Sequence, residues 1–166
     1  SREAALSLEA AGASALEMSG VGGTSWAAVE HHIARVDGKK SKEALGKTFW
    51  NWGIPTAISV VETSGSTDLK IIASGGIRTG IEMAKAITLG ADAVGIAKPL
   101  LEKVVEGKGA LVDHVNNILR EFRTAMFLVG ARNVEELKAV PVIVLGKTSE
   151  WLRLRGYDLR SLANRR

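Results

Sequence analysis

The sequence of 166 residues contains no cysteine, only three prolines and few aromatic residues. Without cysteine the chain has no disulfide, no thiolate metal site and no cysteine nucleophile, which fits a reducing, cytoplasmic setting. It also lacks an apolar run near the roughly 18 residues that a membrane helix needs, and its amphipathic N-terminus is not a signal peptide. We therefore expect a soluble protein with no membrane partner.

The charge is unevenly distributed. The net charge is +4, and residues 147–166 hold six Lys or Arg side chains against Glu150 and Asp158, so the rest of the chain is neutral. A basic tail on a neutral body, without a module that reads a nucleic-acid groove, predicts no nucleic-acid partner. With 46% hydrophobic and 24% charged residues the chain has the composition of one folded domain.

Short apolar runs alternate with amphipathic segments along the chain. The pattern predicts strands at Ala15–Met18, Lys70–Ala73 and Ala93–Ala97, and helices at 26–35, 81–89 and 100–105. This alternation is typical of parallel βαβ units, so the predicted class is α/β. The polar stretch at 36–46 and the aromatic cluster at 49–52 resemble an insertion, and a long helix at 111–129 begins a helical tail.

The strongest motif is Ser74-Gly75-Gly76-Ile77-Arg78-Thr79-Gly80, between a predicted strand and a predicted helix. Glycines there bring backbone N–H groups close to phosphate oxygens, the helix dipole favours an anion, and an arginine adds a charge-assisted contact. The alternative is a tight turn without a ligand. The next strand ends at Ala97-Lys98, and two neighbouring loops of this kind form a shared phosphate site in (β/α) barrels.

A second glycine-rich loop, residues 19–26 (SGVGGTSW), also follows a strand and precedes a helix. Its glycines and hydroxyl groups suit the heteroatoms of a flat cofactor, or its ribityl and phosphate groups. The alternative is a plain connection in which Ser25 caps the next helix.

Two further features are weaker candidates for function. His31 and His32 are adjacent on a helix and point about 100° apart, so we interpret them as a solvent-facing pair rather than as a metal site or proton relay. The aromatic cluster at 49–52 (FWNW) favours a subunit contact over a substrate lid.

These motifs together resemble type 2 isopentenyl-diphosphate isomerases, the FMN-dependent (β/α)₈ enzymes of archaea and many bacteria. The segments EMSGVGGTSW, FWNWGIPTA, IIASGGIRTG with AKAITLGADAVGIA, and GKTSEWLRLRGYDL carry the likeness, which spans nearly the whole chain. The resemblance implies that residues 1–166 are a single partial barrel domain, about strands 6 to 8 plus a C-terminal helical tail. By the same analogy the chain starts after strand 5.

The resemblance also implies an FMN site and no catalytic or metal-binding residue within this chain. Ser19 and Thr24 would contact the isoalloxazine and ribityl side of FMN. The contacts around its phosphate would come from Gly76, Ile77, Arg78, Ala97 and Lys98. FMN would act in its reduced form with NADPH as reductant, and the Mg²⁺ ligand would lie outside this chain. The implied partners are isopentenyl diphosphate, dimethylallyl diphosphate and further copies of the chain, in a tetramer or octamer.

Two other functions remain open on the sequence alone. A 2-hydroxy acid oxidase would share the flavin, but it needs a catalytic His beside Gly before the GGIR strand, and no His lies between Trp52 and Gly76. The other alternative is a fragment or binding module without catalytic activity.

Overall fold

The computed structural model describes residues 1–165, so that Arg166, the end of the basic tail, lies outside the described residues. Within them the strands are β1 (Ala15–Ser19), β2 (Lys70–Ser74) and β3 (Ala93–Val94). The helices are α1 (Arg2–Ala10), α2 (Trp26–Val36), α3 (Lys40–Thr48), α4 (Thr56–Ser64), α5 (Gly80–Thr88), α6 (Lys98–Glu106), α7 (Lys108–Leu128), α8 (Val134–Ala139), α9 (Gly146–Leu154) and α10 (Leu159–Ala163). Across residues 1–165 no helix is both long and apolar enough to cross a membrane.

The three strands form one parallel sheet in the order β1-β2-β3, which confirms the predicted α/β class. Ser19 at the end of β1 lies opposite Ser74 at the end of β2, and Ile72 lies opposite Ala93. The carboxyl ends of the strands therefore meet at one edge of the sheet, where loops are available for a ligand.

The two faces of the sheet differ. One face, with Ile71 and Ala73 of β2, packs against helices in a core that includes Val60, Ile87 and Leu137. The opposite face is open, since Ala15, Glu17, Ile72 and Ala93 are all exposed. Strand β1 is therefore exposed on this face. A parallel sheet normally has both faces covered.

A second buried cluster fixes the tail. Ile58 and Val61 of α4 pack on Leu152 of α9. Between them Glu62 is 1% exposed, and its carboxylate accepts hydrogen bonds from the Arg2 N–H at 3.0 Å, Trp151 Nε1 at 3.1 Å and Arg155 Nε at 3.1 Å. Arg2 belongs to α1, Trp151 to α9, and Arg155 directly follows α9, so the carboxylate of α4 joins three helices.

The pKa of the Glu62 carboxyl reflects two opposing causes. Burial alone raises it, but the hydrogen bonds from Arg2 and Trp151 and the positive charge of Arg155 outweigh burial and hold the pKa below its ordinary value. The group is therefore ionised at neutral pH.

The segment that resembled an insertion contains an unpredicted helix, α3. It packs closely on α2, and a Cβ on Gly46 would lie 2.7 Å from the Ala27 carbonyl oxygen. His31 lies in this contact, with its Nδ1 2.8 Å from the Glu43 carbonyl oxygen and its ring edge-on to Trp50 at 5.4 Å. The prediction that both histidines face solvent is therefore wrong for His31.

The third strand is shorter than predicted. Regular pairing ends at Val94, although the Gly95 N–H still donates to the Ala73 carbonyl at 2.8 Å. Lys98 and Pro99 form the first turn of α6, which begins two residues before the predicted helix at 100–105, because proline is well suited to the first positions of a helix. The helical tail that follows α7 consists of α8, α9 and α10.

Candidate functional site

A cleft of about 520 Å³ lies at the carboxyl ends of the three strands. All seven residues predicted to contact FMN line it: Ser19, Thr24, Gly76, Ile77, Arg78, Ala97 and Lys98. The structure thus brings together residues from three separate βα units. Their contact with FMN stays a prediction.

A larger cleft of about 910 Å³ lies at the opposite end of the strands, beside the tail. It contains none of the predicted site residues. Two of its cations are already paired, Arg155 with Glu3 and Glu62 and Lys138 with Asp92 at 2.6 Å. We therefore place the candidate site in the smaller cleft.

The backbone of the cleft is built from two interlocked loops, which we call the glycine loop (residues 19–25) and the GGIR turn (residues 74–79). Gly76 has a φ of +90°, and a Cβ there would overlap the carbonyl group of Gly22. A Cβ on Gly23 would in turn lie 2.7 Å from the Gly76 nitrogen. The loops touch through main-chain atoms, so glycine is needed for their approach whether or not a ligand is present.

A third segment, residues 54–56, locks the two loops together. The Ile54 carbonyl accepts a hydrogen bond from the Val21 N–H at 2.9 Å, and Thr56 Oγ1 donates to the Gly75 carbonyl at 2.7 Å. A Cβ on Gly20 would lie 2.6 Å from the Ile54 oxygen. The WGIPT segment is therefore part of the frame of the cleft, a role that its sequence did not reveal.

The N–H groups at the N-terminus of α5 are paired with side chains of the protein. Thr79 caps this helix, and the Glu82 carboxylate accepts from the N–H groups of Arg78 at 2.7 Å and Thr79 at 3.1 Å. The Glu121 carboxylate accepts from the Gly80 N–H at 2.7 Å. Protein carboxylates thus occupy these donors, so the anions that the α5 dipole stabilises here are Glu82 and Glu121 of the chain itself.

Donors for an anion remain elsewhere in the cleft. Among residues 1–165 the backbone N–H groups of Gly76, Ile77 and Lys98 have no hydrogen-bond acceptor, and the start of α6 has no side-chain cap. Arg78 donates to the carbonyls of Gly76 at 2.7 Å and Gly22 at 3.4 Å, which uses two of the five N–H groups of its guanidinium. These donors belong to the GGIR turn and the start of α6, which line the same cleft, and unpaired N–H groups of this kind are suited to an anion.

Two polar residues of the cleft were not predicted to be site residues. The Ser74 hydroxyl is buried and has no hydrogen-bond partner in the described chain. Glu17 lines the same cleft from the open face of β1. The alternation of β1 places Glu17 on the same face as Ser19, and this was a readable signal. The sequence gives no signal that the Ser74 hydroxyl lacks a hydrogen-bond partner within residues 1–165. Within residues 1–165 no group of three metal-ligating side chains is present.

Comparison with known proteins identifies the class. A family model described as FMN-dependent dehydrogenase matches residues 53–143, more than half of the chain, and the chain belongs to this family. Its match covers the GGIR turn and the start of α6, which form the candidate phosphate site.

Particular relatives are closer. The chain is 48% identical to the isopentenyl-diphosphate delta-isomerase of Methanothermobacter thermautotrophicus over 98% of this chain and 45% of that protein. It is 47% identical to the enzyme of the same name from Pyrococcus furiosus over 100% of this chain and 41% of that protein. The predicted resemblance is confirmed, and the chain spans less than half the length of these relatives.

A solved structure of similar fold is GMP reductase C318A from Trypanosoma brucei. It is 26% identical, with a TM-score of 0.62 over 89% of this chain and 33% of that chain. The match again covers only a part of the larger protein.

Proposed function

We propose that the protein to which this chain belongs interconverts isopentenyl diphosphate and dimethylallyl diphosphate in isoprenoid biosynthesis, and that this chain supplies much of its FMN site. The names of the relatives support the reaction, at 47–48% identity over almost the whole chain. The observation that carries the assignment is the convergence of all seven candidate residues on one cleft.

The residues of the cleft suit FMN. Unpaired backbone donors at Gly76, Ile77 and Lys98 and the spare guanidinium donors of Arg78 match a phosphate. The glycine loop offers hydroxyl groups from Ser19 and Thr24 for the ribityl chain and the isoalloxazine ring. The cleft volume also lies within the range of small-molecule sites.

The chain contributes binding and orientation to the mechanism. Reduced FMN, with NADPH as its reductant, would supply the acid and base for a net 1,3 proton shift without net redox change. The interlocked loops hold the phosphate end in a fixed position, and rigid placement is the main contribution of a protein to cofactor chemistry. We assign no catalytic side chain and no Mg²⁺ ligand to this chain. The Mg²⁺ that neutralises the diphosphate would be bound elsewhere in the protein.

The open sheet supports a partial barrel. β1 and β3 each have an unpaired edge within residues 1–165, and the face with Glu17 and Ile72 is uncovered. We propose that these surfaces complete a (β/α)₈ barrel with the part of the protein that corresponds to the unmatched half of the relatives. Trp52 of the aromatic cluster is 79% exposed, which supports the proposal of a tetramer or octamer. We propose a cytoplasmic location, which the lack of cysteine supports.

A 2-hydroxy acid oxidase is the second candidate, because the matching family model is that of FMN-dependent dehydrogenases. The segment between Trp52 and Gly76 contains no His to act as the base of that reaction. This difference favours the isomerase.

The test uses the full-length natural protein. Isomerase activity with reduced FMN and Mg²⁺, without oxidation of lactate or mandelate, is expected. Oxidase activity without isomerisation would overturn the assignment. Residues 1–166 alone should bind FMN poorly and show no isomerase activity, and full activity from them would contradict the partial barrel.

A further inference from the structure

A polar pair lies below the candidate phosphate site, on the open face of the sheet. A Cβ built on Gly95 would lie 3.1 Å from Ser74 Cβ and 3.7 Å from Glu17 Oε1. The two side chains thus flank the same point, and the absence of a side chain at Gly95 leaves space between them. Both residues also line the cleft.

Neither side chain has a structural partner. Ser74 is 7% exposed, and its hydroxyl makes no hydrogen bond within the described chain, which is costly for a buried polar group. Glu17 takes part in no ion pair among residues 1–165. Lys70, which lies on the open face of β2, is directed to Asp92, with Nζ 3.6 Å from Oδ1. Within residues 1–165 no protein group therefore satisfies the pair, and both side chains are available to a ligand in the cleft.

The charge of Glu17 limits what binds beside it. An ionised carboxylate only accepts hydrogen bonds and repels a phosphate, so a ligand group at this point must donate O–H or N–H. The phosphate donors of the GGIR turn directly follow Ser74 in the chain. The group beside the pair is therefore the part of the ligand that is bonded to its phosphate. The Ser74 hydroxyl reaches this group by rotation between staggered χ1 positions.

We propose that Glu17 and Ser74 form a subsite for the hydroxyl groups of a phosphorylated polyol, namely the ribityl chain of FMN. This inference rests on the proposed function. The carboxylate accepts from a ribityl hydroxyl, and the serine hydroxyl donates to or accepts from a neighbouring one. The pair thereby selects a hydroxylated chain over an alkyl chain with the same phosphate.

The experiment measures this selection in the full-length natural protein. The dissociation constants of FMN and of a flavin with a five-carbon alkyl phosphate chain without hydroxyl groups are measured by fluorescence titration. The ratio of the two constants is compared among wild type, Glu17→Gln and Ser74→Ala. Glu102→Gln is the matched control, because Glu102 lines the same cleft but faces Lys98, with Oε1 3.8 Å from Nζ.

We expect Glu17→Gln to reduce the preference for FMN about tenfold, because a charge-assisted hydrogen bond is about twice as strong as a neutral one. Ser74→Ala should reduce it about fivefold, and Glu102→Gln should leave it unchanged. Tight FMN binding with the same ratio in Glu17→Gln and Ser74→Ala overturns the subsite alone. A wild-type protein that binds neither flavin overturns the proposed function and the subsite with it.

Discussion

The two ends of the sheet differ in whether their buried polar groups have hydrogen-bond partners. At the tail end the Glu62 carboxylate is buried and receives hydrogen bonds from three donors. At the cleft end the Ser74 hydroxyl is buried and has no hydrogen-bond partner among residues 1–165, and nearby N–H groups are also unpaired within them. Saturated polar groups hold helices together, whereas spare polar groups next to a cleft are available to a ligand. Stability should therefore depend on the first region and ligand affinity on the second.

The largest expected effect is at Gly76, which lies at the cleft end but should affect both stability and ligand affinity. Gly76→Val should destabilise the fold by about 4 kcal/mol or more, since its Cβ would overlap Gly22 at a φ of +90°. Urea unfolding measures the loss. Gly130→Val is the control, because Gly130 has a φ of +76° but no atom within 4 Å of its Cβ position. Equal losses would show that conformational strain, and not loop contact, sets the cost.

Glu62→Gln should destabilise the protein by about 2 kcal/mol and leave FMN affinity unchanged. The amide NH2 replaces one of the two accepting oxygens, so it faces either the Arg2 N–H or the donors of Trp151 and Arg155, and a mismatched buried network is costly. Unfolding and FMN titrations are run in parallel. Glu136→Gln serves as the control, because its partner Arg132 is largely exposed and such pairs contribute at most about 1 kcal/mol. Weaker FMN binding in Glu62→Gln would contradict the separation of the two regions.

Arg78→Ala should show the reverse pattern. Loss of a charge-assisted phosphate contact should weaken FMN binding by about 1.5–3 kcal/mol, or roughly 10- to 100-fold. Stability should change by much less, because Arg78 is exposed and its protein partners are two carbonyl oxygens. The control, Arg153→Ala, removes an exposed arginine from α9. Unchanged affinity in Arg78→Ala would remove this residue from the site.

The smallest expected effect is on pH dependence. The pKa of Glu62 is lower in the folded protein than the ordinary value of 4.5, so its contribution to stability is complete above that value. The contribution is lost as pH falls through the folded pKa. Between neutral pH and about pH 3 the stability of Glu62→Gln should therefore fall less than that of wild type. Parallel curves would show that other carboxylates, such as Asp92, dominate acid unfolding.

The sequence was most informative where local pattern and tertiary role agree. Helix α2 and strand β2 end within a residue of their predicted bounds, because short apolar runs and glycines mark them. Helix α3 was missed because its sequence is polar and contains Gly46. This glycine allows α3 to pack closely on α2. Propensity does not encode such a contact.

The site was predictable in its residues but not in its contacts. The glycine patterns located both loops, and the Thr79-to-Glu82 spacing is the capping-box signature, which could have shown that the α5 terminus is occupied. Glu121, by contrast, reaches Gly80 from 41 residues away. A local sequence pattern cannot predict a contact between residues so far apart. The same holds for the close contact between Gly22 and Gly76.

The interlock also constrains when the cleft forms during folding. Its hydrogen bonds join Val21 to Ile54 and Thr56 to Gly75, so each closes a long loop of chain. Isolated helices form in about a microsecond, whereas contacts between distant segments wait for loop closure and slow the overall rate. No single βα unit can assemble the cleft by itself. Insertions between residues 24 and 53 are therefore compatible with the cleft only if both ends of that segment still meet at the same two backbone contacts.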